Sequence, residues 1–363
     1  MTSGYIIGDR LTVALIEAEP RHVRKISREL GLQPVSVGVP DVELHFVDLG
    51  GARRSPSDAS GLDLGRGPLL PGRTAGGSAW CQVVLDDANV LCIECDRTLN
   101  SPPSLAEILN LVLLGHDVLP VHAASVLWNG QGVMVAGWRG GGKTDALLAL
   151  LSFGARLIAD EWTLVGPEAG MMRALSSPVR LRSRHLAELP ALRSLVSGSA
   201  RRRLRALSTL RAATAPFGGV HGSIGRLARG LGSRLAGAAH VDLPMDHLRV
   251  EPGPIPTHSV IALVPVNGHP RRPYRIELLE LTERLAHVHQ HHRQGLMQQY
   301  HQFRYAYPDR ASAIFERATD TERALTGRLL SGVPAWVCEV NLDATISALG
   351  ATLLPLMPTQ DSS

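Results

Sequence analysis

Lysine is nearly missing from this chain of 363 residues. Lys25 and Lys143 are the only two, although lysine and arginine together number 37. Abundant alanine and glycine alongside arginine fit the codon bias of a GC-rich genome. A lysine retained inside a glycine loop then stands out as one kept for chemistry. Aromatic residues make up 4% of the chain, so the core has to be aliphatic, as in many α/β proteins. Few aromatics also argue against binding of single-stranded nucleic acid, where bases stack on aromatic rings. No apolar run reaches the roughly 20 residues needed to span a bilayer. The stretch from Leu105 to Val121 comes nearest and is interrupted by Glu107, Asn110, His116 and Asp117. The first residues lack the basic and then apolar segments of a secretory signal. The four cysteines are Cys81, Cys92, Cys95 and Cys338, with one close pair and no second pair at metal-ligand spacing. They read as buried thiols in a reducing compartment. A soluble cytoplasmic protein without a membrane partner is expected.

What is present allows a substantial core, since 44% of residues are apolar and 19% charged. At roughly 150 residues per domain, the length suits about two domains or one large one. We read a β-rich N-terminal region over 1–100, a core over 101–280 and a mainly helical region over 281–363. Strands are expected at 11–16, 42–47, 121–127, 132–136, 156–159, 162–165, 260–264, 274–281 and 335–340, with a hairpin over 80–95. Residues 50–78, rich in Gly, Pro, Ser and Arg, read as a loop. Helices are expected at 21–30, 143–153, 281–293, 309–318, 321–330 and 344–354. Another starts after Ser104, with Glu107 three residues on in a capping-box pattern. The net charge of +4 is too small to imply nucleic acid. It is unevenly placed: 189–241 contains no Asp or Glu but nine arginines, among them Arg201, Arg202, Arg203, Arg226 and Arg234. Such a stretch suits an anionic partner. His287, His289, His291 and His292 lack a further ligand of clear metal-site spacing and read as a solvated or partner-facing helix.

The strongest local pattern is Gly137-Trp138-Arg139-Gly140-Gly141-Gly142-Lys143-Thr144, between the strand 133–136 and an apolar helix. Glycines let successive backbone N–H groups, here including those of Arg139, Gly140, Gly141 and Gly142, point into one concavity around phosphates. The helix that follows presents its positive end to an anion. In this pattern the lysine reaches the β- and γ-phosphates and the Thr144 hydroxyl coordinates Mg²⁺. ATP and Mg²⁺ are therefore the expected ligands. Asp160-Glu161 ends an apolar strand, where acids beside such a loop hold Mg²⁺ or accept a proton from an attacking hydroxyl. Asp145 follows the loop and suits either the metal or the helix dipole. His122 opens a strand adjacent to the loop's strand. Alternation over 179–183 aims Arg180, Arg182 and Arg184 at one face, and the first two are candidate acceptor-binding residues.

The order of His122-Ala123-Ala124-Ser125, the loop 137–144 and Leu157-Ile158-Ala159-Asp160-Glu161 resembles the kinase domain of HPr kinase/phosphorylase and its wider family. The likeness is strongest over 104–166. It implies an α/β kinase core similar to phosphoenolpyruvate carboxykinase and ATP-dependent phosphorylation of a serine hydroxyl. By position it makes Asp160 the general base, Lys143 and Thr144 the phosphate and metal groups, and Glu161 a metal ligand. His122 would sit near the transferred phosphate. Glu161 stands where the HPr kinases have aspartate. Their glutamate- and Arg-Gly-containing signature is absent downstream, replaced by the Arg-rich insertion at 189–241, which argues against HPr itself as substrate. Other members phosphorylate peptide natural-product precursors. The expected partner is thus a peptide or protein acceptor, with a small-molecule acceptor or a nucleotide-sensing module as alternatives. The relatives are often oligomers, so a homo-oligomer is expected.

Overall fold

The computed structural model describes residues 2–49, 64–74, 77–85, 90–168, 170–176, 178–214, 235, 239–248, 250–251 and 253–358. The protein is α/β with mixed sheets. The N-terminal part is built from β1 (Thr2–Ile7), β2 (Leu11–Ile16), α1 (Pro20–Leu30), β3 (Val35–Val37), β4 (Val42–Val47), β5 (Leu69–Thr74), β6 (Gly77–Val84) and β7 (Leu91–Asp96). The strands form one sheet in the order β3-β1-β2-β4-β7-β6-β5. Strands β2, β4 and β7 run parallel, and the remaining pairs are antiparallel. Alternation makes the inner face, as in β4, where Val42, Leu44 and Phe46 are buried. Part of the expected loop 50–78 is instead strand: β5 and the start of β6 lie in it, and 50–63 fall outside the described residues. Pro71 and Gly72 disguise β5 as a turn. Proline is tolerated there because β5 ends the sheet order, where a missing N–H forfeits no ladder bond. The hairpin's turn, 86–89, also lies outside the described residues. None of the four cysteines is in a disulfide; Cys81, Cys95 and Cys338 are buried as expected and Cys92 is half-buried, and Cys81 stands opposite Cys95 across β6 and β7.

Helix α2 (Leu105–Gly115) leads into the second sheet. Its cap differs from expectation: Ser104 adopts φ +56° and its side chain makes no capping bond. An N-cap hydroxyl reaches the helix N–H groups from extended backbone, so the left-handed serine forfeits the box. Next come β8 (Leu119–Val121), β9 (Ala123–Trp128), β10 (Gln131–Gly137), α3 (Lys143–Ser152), β11 (Arg156–Ala159), β12 (Glu161–Val165), β13 (Met171–Ser176) and β14 (Val179–Leu181). Then follow α4 (Ser183–Glu188), α5 (Leu192–Leu195), α6 (Gly198–Thr214), β15 (Val241–Leu243), β16 (Ile255–Pro265) and β17 (Tyr274–Ile276). The chain closes with α7 (Leu278–His292), α8 (Gln294–Ala306), α9 (Ala313–Glu316), α10 (Ala318–Leu329), β18 (Ala335–Val340) and α11 (Ile346–Leu353).

This sheet has two wings. Strands β11, β9, β10, β16, β18 and β17 form one, and β8, β12 and β13 form the other. Strand β16 joins them: Ile255 and Pro256 pair with β13, and later residues pair with β10 and β18. Two further chain segments cross between the wings, β8 to β9 at His122 and β11 to β12 at Asp160. The hydroxyls of Ser125 and Thr163 meet at 2.7 Å beside these crossings, and Thr163 also donates to the carbonyl of Ala123. One core cluster joins the N-terminal sheet to α2, β8, β12 and α7–α10. Another lies under α3, α4 and α11.

Two sequence expectations change here. The strand 274–281 stops at Ile276, and α7 begins two residues later. The alternation at 179–183 ends after Leu181, because α4 starts at Ser183. Arg184 therefore sits on a helix, where it donates to the carbonyls of Leu342 and Ala344. The Arg-rich segment is helical to Thr214, and Phe217, Arg226, Arg229 and Arg234 lie outside the described residues. Among the described residues no helix is long and apolar enough to cross a membrane.

Candidate functional site

The glycine loop leaves the buried end of β10 and enters α3 at Gly142, which adopts φ +90°. A side chain at Gly141 would meet the Trp138 carbonyl oxygen at 2.9 Å. The Gly141 N–H donates to that same oxygen, which curls the loop. The first turn of α3 leaves N–H groups without intrahelical partners, directly after the loop. Lys143 is buried at the head of the helix, its Nζ donating to the carbonyls of Gly137 (2.9 Å) and Trp138 (3.0 Å). Burial pulls its pKa down to about 8, against the pull of the nearby Glu161 and Asp160 charges.

Asp160 reaches the loop from the crossing between the wings. It is 1% exposed, and its carboxylate oxygens lie 3.4 and 3.5 Å from the Thr144 hydroxyl. Burial pushes its pKa up to about 7, helped by the neighbouring Glu161 charge and opposed by Lys143 and Thr144. The next residue supplies the bend: Glu161 has φ +71°, and the Trp162 N–H donates to the Asp160 carbonyl at 2.9 Å. This is the geometry of a tight three-residue turn, rare outside glycine. Such strain costs on the order of 1–3 kcal/mol and collects at functional sites. Here it lets one strand serve both wings while turning Asp160 inward.

His122 marks the other crossing. It is buried, with Nε2 at 4.0 Å from Glu161 Oε2 and, among the described residues, no hydrogen-bond partner for Nδ1. Burial, then the positive charges of Lys143 and neighbouring groups, hold its pKa far below the usual histidine range, so the ring is neutral. Glu161 Oε1 lies 3.4 Å from Arg180 Nη1. The site thus brings together His122, Lys143, Thr144, Asp160, Glu161 and Arg180. Arg139 is exposed on the loop and contributes positive charge around Lys143 and His122.

Two candidates go elsewhere. Asp145 accepts from His185 Nε2 at 2.7 Å and lies 3.6 Å from Arg184. The Arg182 N–H donates to His185 Nδ1, which fixes the proton on Nε2. Asp145 is therefore held by α4, its carboxyl pKa lowered by His185 and Arg184 despite burial. The Arg182 side chain is exposed at the start of α4. Among the described residues no group of three or more His, Cys, Asp or Glu is placed to hold a metal ion unaided. A nucleotide-bound Mg²⁺ needs only one or two carboxylates, the phosphates and water supplying the rest.

Helix α7 is the part that sequence reasoning missed. Two of its histidines, His289 and His292, turn inward, whereas His287 and His291 are exposed. The His292 ring lies 3.8 Å from that of His122, and the His291 ring stacks on Trp138 of the loop at 4.5 Å. His289 is buried behind them. Burial lowers the pKa of His292 to about 4 and of His289 to about 3. Behind His292 a cavity of about 20 Å³ is lined by Asn110, Trp162, His289, Arg293 and Glu322, room for about one water. The signal was in the periodicity: Leu281, Leu285 and Val288 continue onto His289 and His292 along one helical face.

No family model matches the chain, and no curated protein matches it.

Proposed function

We propose that the chain is an ATP- and Mg²⁺-dependent phosphotransferase that moves the γ-phosphoryl group to a serine or other hydroxyl of a peptide or protein, as its resemblance to HPr-kinase-like proteins implies. The observation that carries this reading is Asp160. A buried carboxyl with a pKa of about 7 faces the Thr144 hydroxyl at the mouth of a glycine loop with a buried lysine. General bases work best with a pKa near the operating pH.

The residues suit the ligands. ATP supplies the phosphoryl group, and Mg²⁺ draws charge from it. Lys143, whose ammonium rests on two loop carbonyls, turns to phosphate oxygens beside the N–H groups of the loop. The Thr144 hydroxyl and the Glu161 carboxylate offer oxygen to the metal, while Asp145 stays with His185 and orders the start of α3. The neutral His122 donates a hydrogen bond without adding charge. In the transfer step the acceptor oxygen bonds to the γ-phosphorus and its proton passes to Asp160. The bond from that phosphorus to the β,γ-bridging oxygen breaks, and ADP leaves.

The test is transfer of label from γ-labelled ATP to Ser-containing peptides by the full chain. Lys143→Ala is expected to cut transfer at least about 10²-fold, through lost charge at the developing phosphate negative charge. Asp160→Asn is expected to cut it about 10²- to 10⁴-fold. Transfer at the full rate with Asp160→Asn would remove aspartate from the role of base.

A further inference from the structure

Glu161 belongs to the candidate site and also to the wall of a long groove. On its far side a cleft of about 600 Å³ is lined by Glu161, Trp162 and Arg180, and by Arg28, Gly72 and Arg73 from the N-terminal sheet region. A second cleft of about 990 Å³ continues along the N-terminal sheet, past Ile6, Leu32, Met245 and Val250. The two share Arg28, Pro178 and Asp242, so they form one channel between the sheets that ends beside the site. A small-molecule site spans about 300–1,000 Å³. The joined clefts exceed that, and both are open, which suits an extended chain.

The charges in the groove select which chain. Most of its acids are already engaged: Asp9 by Arg173, Glu29 by Lys25, Glu161 by Arg180, Asp242 by His240 and Glu251 by Arg156. Glu107 is half-buried, and burial raises its pKa. Arg28 and Arg73 are exposed in the groove, and among the described residues neither has a hydrogen-bond or ion-pair partner. The open charge is therefore positive, at two fixed points. Single-stranded nucleic acid fits poorly, because among the described lining residues Trp162 is the sole aromatic ring on which a base could stack.

We propose that this groove binds the acceptor as an extended polypeptide, with Arg28 and Arg73 pairing to acidic side chains that flank the hydroxyl presented at Glu161. The inference rests on the phosphotransferase reading for its purpose, but binding in the groove is measurable without transfer.

The experiment uses fluorescein-labelled twelve-residue peptides with one central serine flanked by Glu, by Lys or by Gly, and a twelve-nucleotide single-stranded DNA. Anisotropy is read on the full chain, and a fluorescent ATP analogue is titrated in parallel. The Glu peptide is expected to bind at least about tenfold tighter than the Lys peptide, as two charge pairs of about 0.7 kcal/mol each would give. Arg28→Glu with Arg73→Glu should reverse that preference and leave binding of the ATP analogue unchanged. Gain of Lys-peptide binding shows that the variant is folded. Lys143→Ala should bind the Glu peptide as wild type does. Equal affinity for Glu and Lys peptides, a preference untouched by the double reversal, or binding of DNA without the Glu peptide would each overturn the proposal. Charge-selective peptide binding without any binding of the ATP analogue would support the groove and sink the phosphotransferase reading instead.

Discussion

At the residue scale the proposed phosphoryl transfer depends on two displaced pKa values. Asp160 is raised by burial and by Glu161 to about 7, and Lys143 is lowered by burial to about 8. The base form of Asp160 appears as pH rises through the first value, and the charge of Lys143 is lost as pH rises through the second. The kcat/KM profile, which reports the free enzyme, should therefore be a narrow bell with its top between about pH 7 and 8. Bound phosphates would hold the ammonium protonated, so the falling limb of kcat should move to higher pH. Glu161→Gln removes the second cause of the Asp160 shift, so its rising limb should start at lower pH even though its rate falls. Initial rates from pH 5.5 to 9.5 decide this. A rising limb that stays in place with Glu161→Gln would disconnect Glu161 from the titration of Asp160.

At the element scale, what could be read locally was read well. The strand into the glycine loop, the loop itself, the helix after it and the strand ending at Asp160 are each specified by neighbours in sequence. So were β2, β4, β18 and most helices. The missing parts depend on what an element faces. Ser104 has the right residue type but a left-handed backbone, and β5 was hidden by Pro71 and Gly72. The left-handed Glu161 is dictated by the crossing between wings, which no local pattern announces. Asp145 is drawn to His185 across 40 positions of sequence. Helix α7 is the largest case, because His289 and His292 look polar in sequence yet continue its apolar stripe, while His287 and His291 stay exposed. That helix is anchored by Arg293, just past its end, whose guanidinium bonds the buried Glu322 carboxylate of α10 and, at 2.6 Å, the Thr319 hydroxyl. Removing one member strands a buried charge and costs about 3–5 kcal/mol, whereas replacing both by apolar groups of similar size is often close to neutral. Glu322→Ala should therefore lower stability to denaturant by that amount. It should also weaken nucleotide binding, because α7 holds His291 on Trp138 of the loop. Arg293→Met with Glu322→Leu should recover most of both. Stability restored without nucleotide binding would show that α7 does not brace the loop.

At the scale of the whole molecule, the regions that differ in composition share one interior. Tyr5, Phe46 and Ile93 of the N-terminal sheet belong to the same core cluster as Leu109 and Leu113 of α2, Leu164 of β12, Leu285 of α7 and Tyr300 of α8. The last third of the chain returns β18 to the second sheet beside β16, and β16 itself belongs to both wings. The sharp turn at Glu161 is held from both sides by this arrangement, which is how a strained residue persists. Elements that bury one core together lose its contacts together and are expected to unfold in one step. Calorimetry of the full chain should then show a single transition. A ligand that binds only the folded state adds about 2.7 kcal/mol at a hundredfold excess over its Kd, so saturating ATP and Mg²⁺ should move the whole peak upward. The N-terminal sheet should follow although it lies outside the loop, and Trp80 on β6 gives it an optical signal of its own once Trp128, Trp138, Trp162 and Trp336 are replaced by Phe. Two peaks, with nucleotide moving one and leaving the Trp80 transition in place, would separate the sheet from the site. The groove between them would then be a joint between independent domains and not a wall of one folded unit.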